Sequence, residues 1–175
     1  MVSLMVSAAV ERAWALLDAV PDPEIPVVSI RELGILRQIN EQDGLLEVVL
    51  TPTYSGCPAI EQIADDVRAA LRSQGLDARI TTQLAPAWTT DWITPAARAK
   101  LKAYGIAPPG AANDAVAGSA TVVQFAARRP VPAAVPCPRC GSHDTTETSH
   151  FGSTACKALY RCLACREPFD HFKPY

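Results

Sequence analysis

Residues 45–60, LLEVVLTPTYSGCPAI, join an apolar strand to an amphipathic helix and place one cysteine at the junction. The first six residues are rich in strand formers. After Pro58 the apolar residues recur with helical spacing, at Ile60, Ile63, Ala64, Val67, Ala70 and Leu71. The pattern predicts that a strand leads through a short loop into a helix that begins at Pro58, with Cys57 as its N-cap.

Cys57 is the residue of this stretch that is suited to chemistry. At a helix N-terminus the unpaired backbone N–H groups and the helix dipole favour a thiolate over a thiol, and a thiolate attacks electrophiles or binds soft metals. A lone cysteine is more often a small core residue. Thr53, Tyr54, Ser55 and Gly56 precede this one, however, and such residues are more typical of an exposed loop. We therefore expect Cys57 to be functional, with a pKa below that of a free cysteine.

The segments on either side of this junction complete a small domain. A first helix ending before Pro21 is predicted by apolar residues at Val10, Trp14, Leu17 and Val20. Residues 35–39 and 45–51 read as strands, and the loop between them contains Asp43-Gly44, which is typical of a hairpin. Residues 77–84 alternate like a third strand. This order predicts an α+β fold, a small two-layer sandwich with helices packed on a three-stranded mixed sheet.

The region after the third strand contains two tryptophans, Trp88 and Trp92. Such residues more often seal the edge of a core than build a pocket, so we expect no catalytic role for them. Thr94-Pro95 then predicts the start of a helix that runs to about Tyr104, because Thr is a favoured cap and Pro a favoured first residue.

The remaining segments predict a linker and a second domain. Residues 107–119 are rich in Ala, Gly and Pro, residues 121–126 read as a short strand, and residues 130–136 form a stiffer, proline-rich connection. We therefore divide the chain into a first domain at 1–110, a linker with a short strand at 111–135, and a small domain at 136–175.

The small domain carries the most specific motif in the chain. Two Cys-x2-Cys knuckles supply four thiolates that fit tetrahedral zinc, namely Cys137, Cys140, Cys162 and Cys165. A segment of about 40 residues cannot bury enough surface to fold alone, and a metal would supply the missing stability. Four sulfur ligands leave no open position for water. We therefore predict a structural zinc ion in a C-terminal zinc-ribbon β domain, with a rubredoxin-like iron centre as the alternative.

Cys156 is left over between the two knuckles and lies next to Lys157. It is either a second reactive thiol or part of the small core of the ribbon. Its position favours the core slightly, because small buried residues are what cysteines outside metal sites usually are.

Composition and charge narrow the function classes. Hydrophobic residues make up 49% and charged residues 19% of the 175 residues, enough for one sizeable core and a small satellite. The net charge is −2 and no run of Lys or Arg occurs, so binding to nucleic acid or a membrane through bulk charge is not expected. Residues 1–10 lack the pattern of a signal peptide, and no apolar stretch reaches the roughly 18 residues of a membrane span. We therefore expect a cytoplasmic protein.

Several motifs resemble known families. Residues 8–109 resemble the SufT-like iron–sulfur cluster assembly domain in four motifs: Asp22-Pro23-Glu24-Ile25-Pro26, Leu33-Gly34, Thr51-x-Thr53-x3-Cys57-Pro58 and Pro86-x-Trp88-Thr89. The tail, with CPRCGS, FGSTACKALYRC and PFDHFK, is similar to the PaaD family, which belongs to the phenylacetyl-CoA epoxidase system of aerobic phenylacetate degradation. The two resemblances together span nearly the whole chain.

The first resemblance implies a set of site residues. In that family the cysteine of the turn is the expected cluster or metal ligand, and acidic residues lie beside it. Carried across, this implies a cluster or metal transfer site of Cys57, Asp22 and Glu24, with Thr51 and Thr53 lining it. Spacing alone leaves the two carboxylates as solvated turn residues. One departure is Tyr54-Ser55-Gly56, where many relatives have Ser-Pro-Gly, and we expect the bulkier tyrosine to narrow access to the thiol.

The resemblance implies an accessory protein and not an enzyme. The sequence has no paired Glu-x2-His motifs for a di-iron site, no Gly-rich dinucleotide turn and no four-cysteine ferredoxin spacing outside the ribbon. The leading hypothesis is that Cys57 holds a transient iron–sulfur cluster, or iron, and hands it to an oxygenase component, with the iron–sulfur flavin reductase as the expected recipient. A single thiolate binds a cluster weakly, so the cluster would be shared with the recipient or across a homodimer.

Two other functions stay open. The protein could be a permanent, non-catalytic structural subunit of the epoxidase complex, which stable co-purification would reveal. The ribbon could instead bind nucleic acid, but residues 136–175 have five basic against four acidic side chains before the thiolates are counted. That balance is too weak for phosphate binding, so a nucleic-acid partner is the least favoured.

Overall fold

The computed structural model describes residues 7–110 and 134–174. Lys100 ends the first compact unit and Leu101 begins the second. The strand predicted at residues 121–126 lies outside the described residues. The domain limits at 110 and 136 stay a prediction.

The first unit contains helix α1 (Ala8–Leu17), strands β1 (Leu36–Gln42) and β2 (Leu45–Leu50), helix α2 (Ala59–Arg72) and strand β3 (Ala78–Thr82). A 3-10 turn follows at Thr90–Trp92, and helix α3 (Pro95–Tyr104) crosses into the second unit. These elements confirm the predicted order of helix, hairpin, helix and strand. The cap expected for α3 is also present, because the Ala97 N–H donates to Thr94 Oγ1 at 3.1 Å.

The sheet has the order β1-β2-β3 and is mixed, as predicted. β1 and β2 are antiparallel neighbours joined at Asp43 and Gly44, whose φ angles of 53° and 77° are those that a tight hairpin turn requires. β2 and β3 are parallel, with Val48 opposite Ile80. Parallel neighbours need a crossover connection, and α2 supplies it.

α2 packs on this sheet through one face. Ala59, Ile63, Val67 and Leu71 are buried at intervals of four residues, whereas the residues between them are mostly exposed or half-buried. The helix begins at Ala59 and has Pro58 as its N-cap, with the helical φ and ψ of −69° and −22°. The prediction that Cys57 is the N-cap was therefore wrong, because the proline already has the helical conformation and shifts the cap by one residue.

The second unit is a four-stranded sheet. Strands β4 (Ile106–Ala107), β5 (Thr145–Ser149), β6 (Lys157–Cys162) and β7 (Pro168–Phe172) lie in the order β4-β7-β6-β5. β5, β6 and β7 are antiparallel, and β4 joins the edge of β7 in parallel. The small core consists of Ala107, Val135, Cys137, Ala158, Tyr160, Cys162 and Phe169. The pairing of β4 with β7 was not expected from the sequence, which placed residues 106 and 107 in the first domain.

Candidate functional site

Cys57 lies at the end of the loop that connects β2 to α2. The Thr51 N–H donates to the Ile35 carbonyl at 2.8 Å, which extends the hairpin past β2, and the Cys57 N–H donates to the Tyr54 carbonyl at 3.2 Å, which closes a tight turn. The thiol-bearing residue is half-buried. A strand leads into this loop and a helix leaves it, so the position of the loop is held by two rigid elements.

The pKa of Cys57 is shifted in the opposite direction to the one expected from the sequence. Burial raises the pKa of the thiol above its ordinary value, and the charges of Glu24 and Asp22 raise it further. Hydrogen bonding from the backbone N–H groups of Ala59 and Ile60 lowers the pKa, but not enough to reverse the shift. The expected lowering by the helix N-terminus was therefore wrong, because desolvation and two nearby carboxylates outweigh the helix.

Asp22 has a clear structural role. It is buried, and its Oδ1 atom accepts hydrogen bonds from the backbone N–H groups of Glu24 at 3.0 Å and Ile25 at 2.8 Å. The Asp22 N–H in turn donates to the Val28 carbonyl at 2.9 Å. This carboxylate therefore shapes the turn that carries Glu24, and it is not the solvated residue that spacing alone indicates.

The structure brings Asp22 and Glu24 close enough to Cys57 for their charges to act on its thiol. Thr51 and Thr53 are buried in the segment that leads to Cys57. That these two threonines line the site stays a prediction. Among the described residues, the four knuckle cysteines form a metal-ligating group, whereas Cys57, Asp22 and Glu24 do not. The two carboxylates act on Cys57 through their charge, and a cation bound at the sulfur would offset the negative charge that otherwise disfavours the thiolate.

The four knuckle cysteines meet as predicted. Their Sγ atoms all lie within 4.8 Å of one another. Sγ of Cys137 lies 3.8 Å from Sγ of Cys165, and Sγ of Cys140 lies 3.6 Å from Sγ of Cys162. Four sulfurs at about 2.3 Å from a tetrahedral zinc ion are about 3.8 Å apart, whereas a disulfide holds its sulfurs at about 2.05 Å. The cluster therefore fits a metal ion and not a pair of disulfides.

The two knuckles have matching backbone geometry. The residue after the second cysteine of each is left-handed, with φ of 75° at Gly141 and 70° at Arg166. In the second knuckle the Cys165 N–H points at Sγ of Cys162 from 3.4 Å. Hydrogen bonding from the backbone of Cys165 lowers the pKa of Cys162, whereas burial and the sulfurs of Cys162, Cys140 and Cys137 raise the pKa of Cys165. Several thiolates in one small site repel each other, and a bound cation would offset that repulsion.

Cys156 does not belong to this cluster. It is buried, and its sulfur lies 3.0 Å from Thr154 Oγ1. The Cys156 carbonyl accepts from the Lys173 N–H at 2.9 Å. This environment favours the core role over a second reactive thiol, because reactive cysteines are usually accessible to solvent.

A groove beside the Cys57 loop was missed by sequence reasoning. It has a volume of about 350 Å³ and is lined by Ile60, Glu61, Ala64, Asp65, Arg68, Ile80 and Thr82. The sequence feature that could have indicated the groove is Ile80, an apolar residue at the centre of β3. The fold leaves this side chain half-buried. Ile60 and Glu61 belong to the first turn of α2, which begins at Ala59, two residues after Cys57.

Two family models match the chain. The model described as iron-sulfur cluster assembly protein matches residues 10–81, which include Asp22, Glu24 and Cys57. The model described as PaaD zinc beta ribbon domain matches residues 123–173, which include all four knuckle cysteines. The two models thus divide the chain between the same two groups of cysteines as the geometry does.

Individual relatives match either most of this chain or about half of it. The chain is 47% identical over 165 residues to an Escherichia coli (strain K12) protein whose name describes it as a subunit of a "Putative 1,2-phenylacetyl-CoA epoxidase", a match that spans 94% of this chain and 92% of that protein. It is 32% identical over 100 residues to the Bacillus subtilis (strain 168) protein named "Fe-S protein maturation auxiliary factor YitW", spanning 55% of this chain and 97% of that one. A DUF59 domain crystal structure from Bacillus anthracis superposes with a TM-score of 0.50 at 26% identity, over 54% of this chain and 92% of that domain.

Proposed function

Since the chain belongs to the PaaD family of the phenylacetyl-CoA epoxidase system, we propose that it is an accessory protein that delivers an iron–sulfur cluster, or iron, to another component of that system. Cys57 is the transfer ligand in this proposal, and the iron–sulfur flavin reductase is the recipient. Two findings support it. Residues 10–81 match a cluster-assembly model, and the Bacillus subtilis relative that covers 55% of this chain is named as a maturation factor.

The observation that carries the proposal is that the charges of Glu24 and Asp22 act on the thiol of Cys57. In the absence of cargo the raised pKa keeps the thiol protonated at neutral pH. When iron or a cluster arrives, the half-buried sulfur gives its proton to solvent as it binds the metal, and the carboxylates stabilise the added positive charge. When the cargo leaves, the sulfur takes a proton back. A site that prefers the protonated thiol therefore favours release, which is what a carrier needs.

The carboxylates have separate tasks in this mechanism. Asp22 holds the turn through its two backbone hydrogen bonds. Glu24 is half-buried and exerts the larger charge effect of the two on Cys57. We therefore assign to Glu24 the role of drawing the cation toward the sulfur, and to Asp22 the role of positioning Glu24.

The zinc ion proposed for the ribbon would be held by Cys137, Cys140, Cys162 and Cys165. It would supply folding free energy to a unit whose core has only a few apolar side chains. With four sulfur ligands it would have no open coordination position. We therefore propose a structural role for the metal and a non-catalytic role for the ribbon.

The test replaces Cys57 with serine in cells that make the epoxidase components. The Cys57→Ser chain should stay folded and keep its zinc, because a hydroxyl has nearly the volume of a thiol, while the reductase isolated from these cells should contain less iron and sulfide. Oxygen is a far poorer ligand than sulfur for cluster iron. Cys156→Ala serves as the matched control, since it removes a cysteine outside both proposed sites.

A reductase with its full iron and sulfide content in the Cys57→Ser cells would exclude the transfer role. The other candidate is then a permanent structural subunit, which is the role that the name of the Escherichia coli relative favours. In that case the protein should co-purify with the epoxidase in a fixed ratio, and its removal should lower the amount of the complex without changing the cluster content of the reductase.

A further inference from the structure

β3 is an edge strand, and its outer edge is unpaired among the described residues. The Leu46 N–H donates to the Asp77 carbonyl at 3.1 Å, and the Gln83 N–H donates to the Leu50 carbonyl at 2.8 Å. In a parallel ladder every second residue bonds to the same neighbour. The odd-numbered residues of β3 therefore bond to β2. The N–H and C=O groups of Ala78, Ile80 and Thr82 point the opposite way, outward from the free edge of the sheet.

The same edge forms one wall of the groove. Side chains of Ile80 and Thr82 line it from the strand, and Ile60 and Ala64 line it from α2. Just past the strand, Leu84 is 56% exposed. The groove is lined by both apolar and charged side chains. An open ladder edge that runs beside such a groove is an arrangement that proteins use to bind extended peptide segments as an added strand.

The charges of the groove indicate what kind of segment fits. Its charged residues are Glu61, Asp65 and Arg68. Arg68 is already paired with Asp65 at 2.5 Å, which leaves a net negative charge at the end of the groove nearest to Cys57. A segment with a Lys or Arg near Glu61 would complement this charge.

We propose that the outer edge of β3 and this groove are the docking surface for an extended, basic segment of the recipient protein. The segment adds to β3 as a fourth strand, packs apolar side chains against Ile60, Ala64 and Ile80, and places a basic side chain near Glu61. This inference rests on the proposed function. Because Ile60 and Glu61 lie in the first turn of α2, the docked segment ends next to Cys57, where a recipient has to bring its own ligands.

A second copy of the chain fits this surface less well. In a pair of copies joined along β3, the basic residue that lines the groove, Arg68, is already paired with Asp65 in each copy, so this groove offers no basic partner to Glu61 of the other copy. The two Cys57 thiols, at the outer ends of the helices, would also stay apart. Neither problem arises with a basic segment of a different protein.

The test measures binding of the zinc-loaded full chain to the purified, cluster-free flavin reductase. Thr82→Pro removes a backbone donor that points away from β2, so it should block strand addition and leave the sheet intact. Ala64→Lys places a bulky positive charge in the groove, and Ala69→Lys makes the same change on an exposed part of α2 outside the groove. Thr82→Pro and Ala64→Lys should each raise the Kd by about tenfold or more, whereas Ala69→Lys should bind like the parent.

Hydrogen exchange supplies a second readout. On reductase binding, the amides of Ala78, Ile80 and Thr82 should become protected, whereas those of Arg79 and Thr81 are already protected by β2 in the free chain. Protection of Arg79 and Thr81 in Thr82→Pro also shows that this variant keeps its sheet. Cys57→Ser should bind the reductase normally and transfer nothing, so a failure of docking and a failure of the chemistry are distinguishable.

Equal Kd values for Ala64→Lys and Ala69→Lys, or no binding of the reductase by the parent chain, would overturn the proposal. It is also overturned if light scattering shows that the parent is a dimer and that Thr82→Pro and Ala64→Lys are monomers. A second copy of the chain would then be the occupant of the edge.

Discussion

The indole Nε1 of Trp88 donates a 2.9 Å hydrogen bond to the carbonyl oxygen of Leu33, which lies 55 positions earlier in the chain. Both residues are buried. Next to this contact, a Cβ atom placed on Gly34 would lie 2.6 Å from Cβ of Trp92, closer than two such atoms can approach. The structure therefore joins two motifs that are separate in the sequence, Leu33-Gly34 and Pro86-x-Trp88. Their contact ties the segment after β3 to the turn before β1.

Replacing Trp88 with phenylalanine should destabilise the first unit. The change removes the donor and leaves the Leu33 carbonyl buried without this partner, which costs about 1–3 kcal/mol. Trp92→Phe is the matched control, because Trp92 is only half-buried and its ring stacks under the Arg37 guanidinium at 3.5 Å, a contact worth about 0.5–1 kcal/mol. Urea denaturation monitored by circular dichroism measures the free energy of unfolding of each variant, and Trp88→Phe should lose more than Trp92→Phe. Equal losses in the two variants would show that the hydrogen bond is not important.

Removal of one knuckle thiol should release the proposed zinc ion from the ribbon. Cys140 is exposed, so Cys140→Ser removes a metal ligand without leaving a cavity. We expect zinc to be lost and the chain after Pro136 to become sensitive to protease, because the metal supplies most of the stability of this small unit. The first unit should stay folded. A parent protein that contains no metal when freshly isolated, or a Cys140→Ser ribbon that resists protease as the parent does, would contradict the metal site.

Asp22 and Glu24 should respond differently to substitution. Asp22→Asn keeps an oxygen that can accept both backbone hydrogen bonds and should change stability little, whereas Asp22→Ala should lose about 1 kcal/mol or more for each bond. Glu24→Gln should leave stability unchanged and reduce cluster delivery. The readouts are the free energy of unfolding and the iron content of the reductase. Full delivery by Glu24→Gln would refute the role of its charge.

The reactivity of Cys57 should depend on pH in a defined direction. Because burial and the two carboxylates raise its pKa, little thiolate is present at neutral pH, and the rate of alkylation should keep rising as the pH increases beyond the ordinary pKa of about 8.5. Glu24→Gln removes a charge that raises the pKa, so it should speed alkylation at neutral pH. Cys57 should still react before the buried Cys156. Mass spectrometry after brief labelling measures each rate, and a rate for Cys57 that is already constant below pH 8 would show that its pKa is lowered.

Local sequence was enough to predict most of the fold. Three local patterns predicted elements that the structure contains: the helical spacing after Pro58, the Asp43-Gly44 turn and the alternation in residues 77–84. The sheet is also mixed, as expected. These features follow from periodicity and turn chemistry within a few residues. The two Cys-x2-Cys knuckles likewise predicted that four sulfurs would meet, because short, regular spacing restricts how they can be arranged.

The sequence by itself therefore determined the element order, the mixed sheet and the four-sulfur cluster, and the motifs that resemble the cluster-assembly family pointed to Cys57, Asp22 and Glu24. Only the tertiary structure decided the direction of the Cys57 pKa, the structural task of Asp22 and the open edge of β3 beside its groove. The charges that act on Cys57 come from Asp22 and Glu24, which lie more than thirty residues away in the chain. Desolvation and Coulomb interactions depend on distance in space, so a pattern confined to neighbouring residues could suggest a helix N-terminus but not the carboxylates that outweigh it.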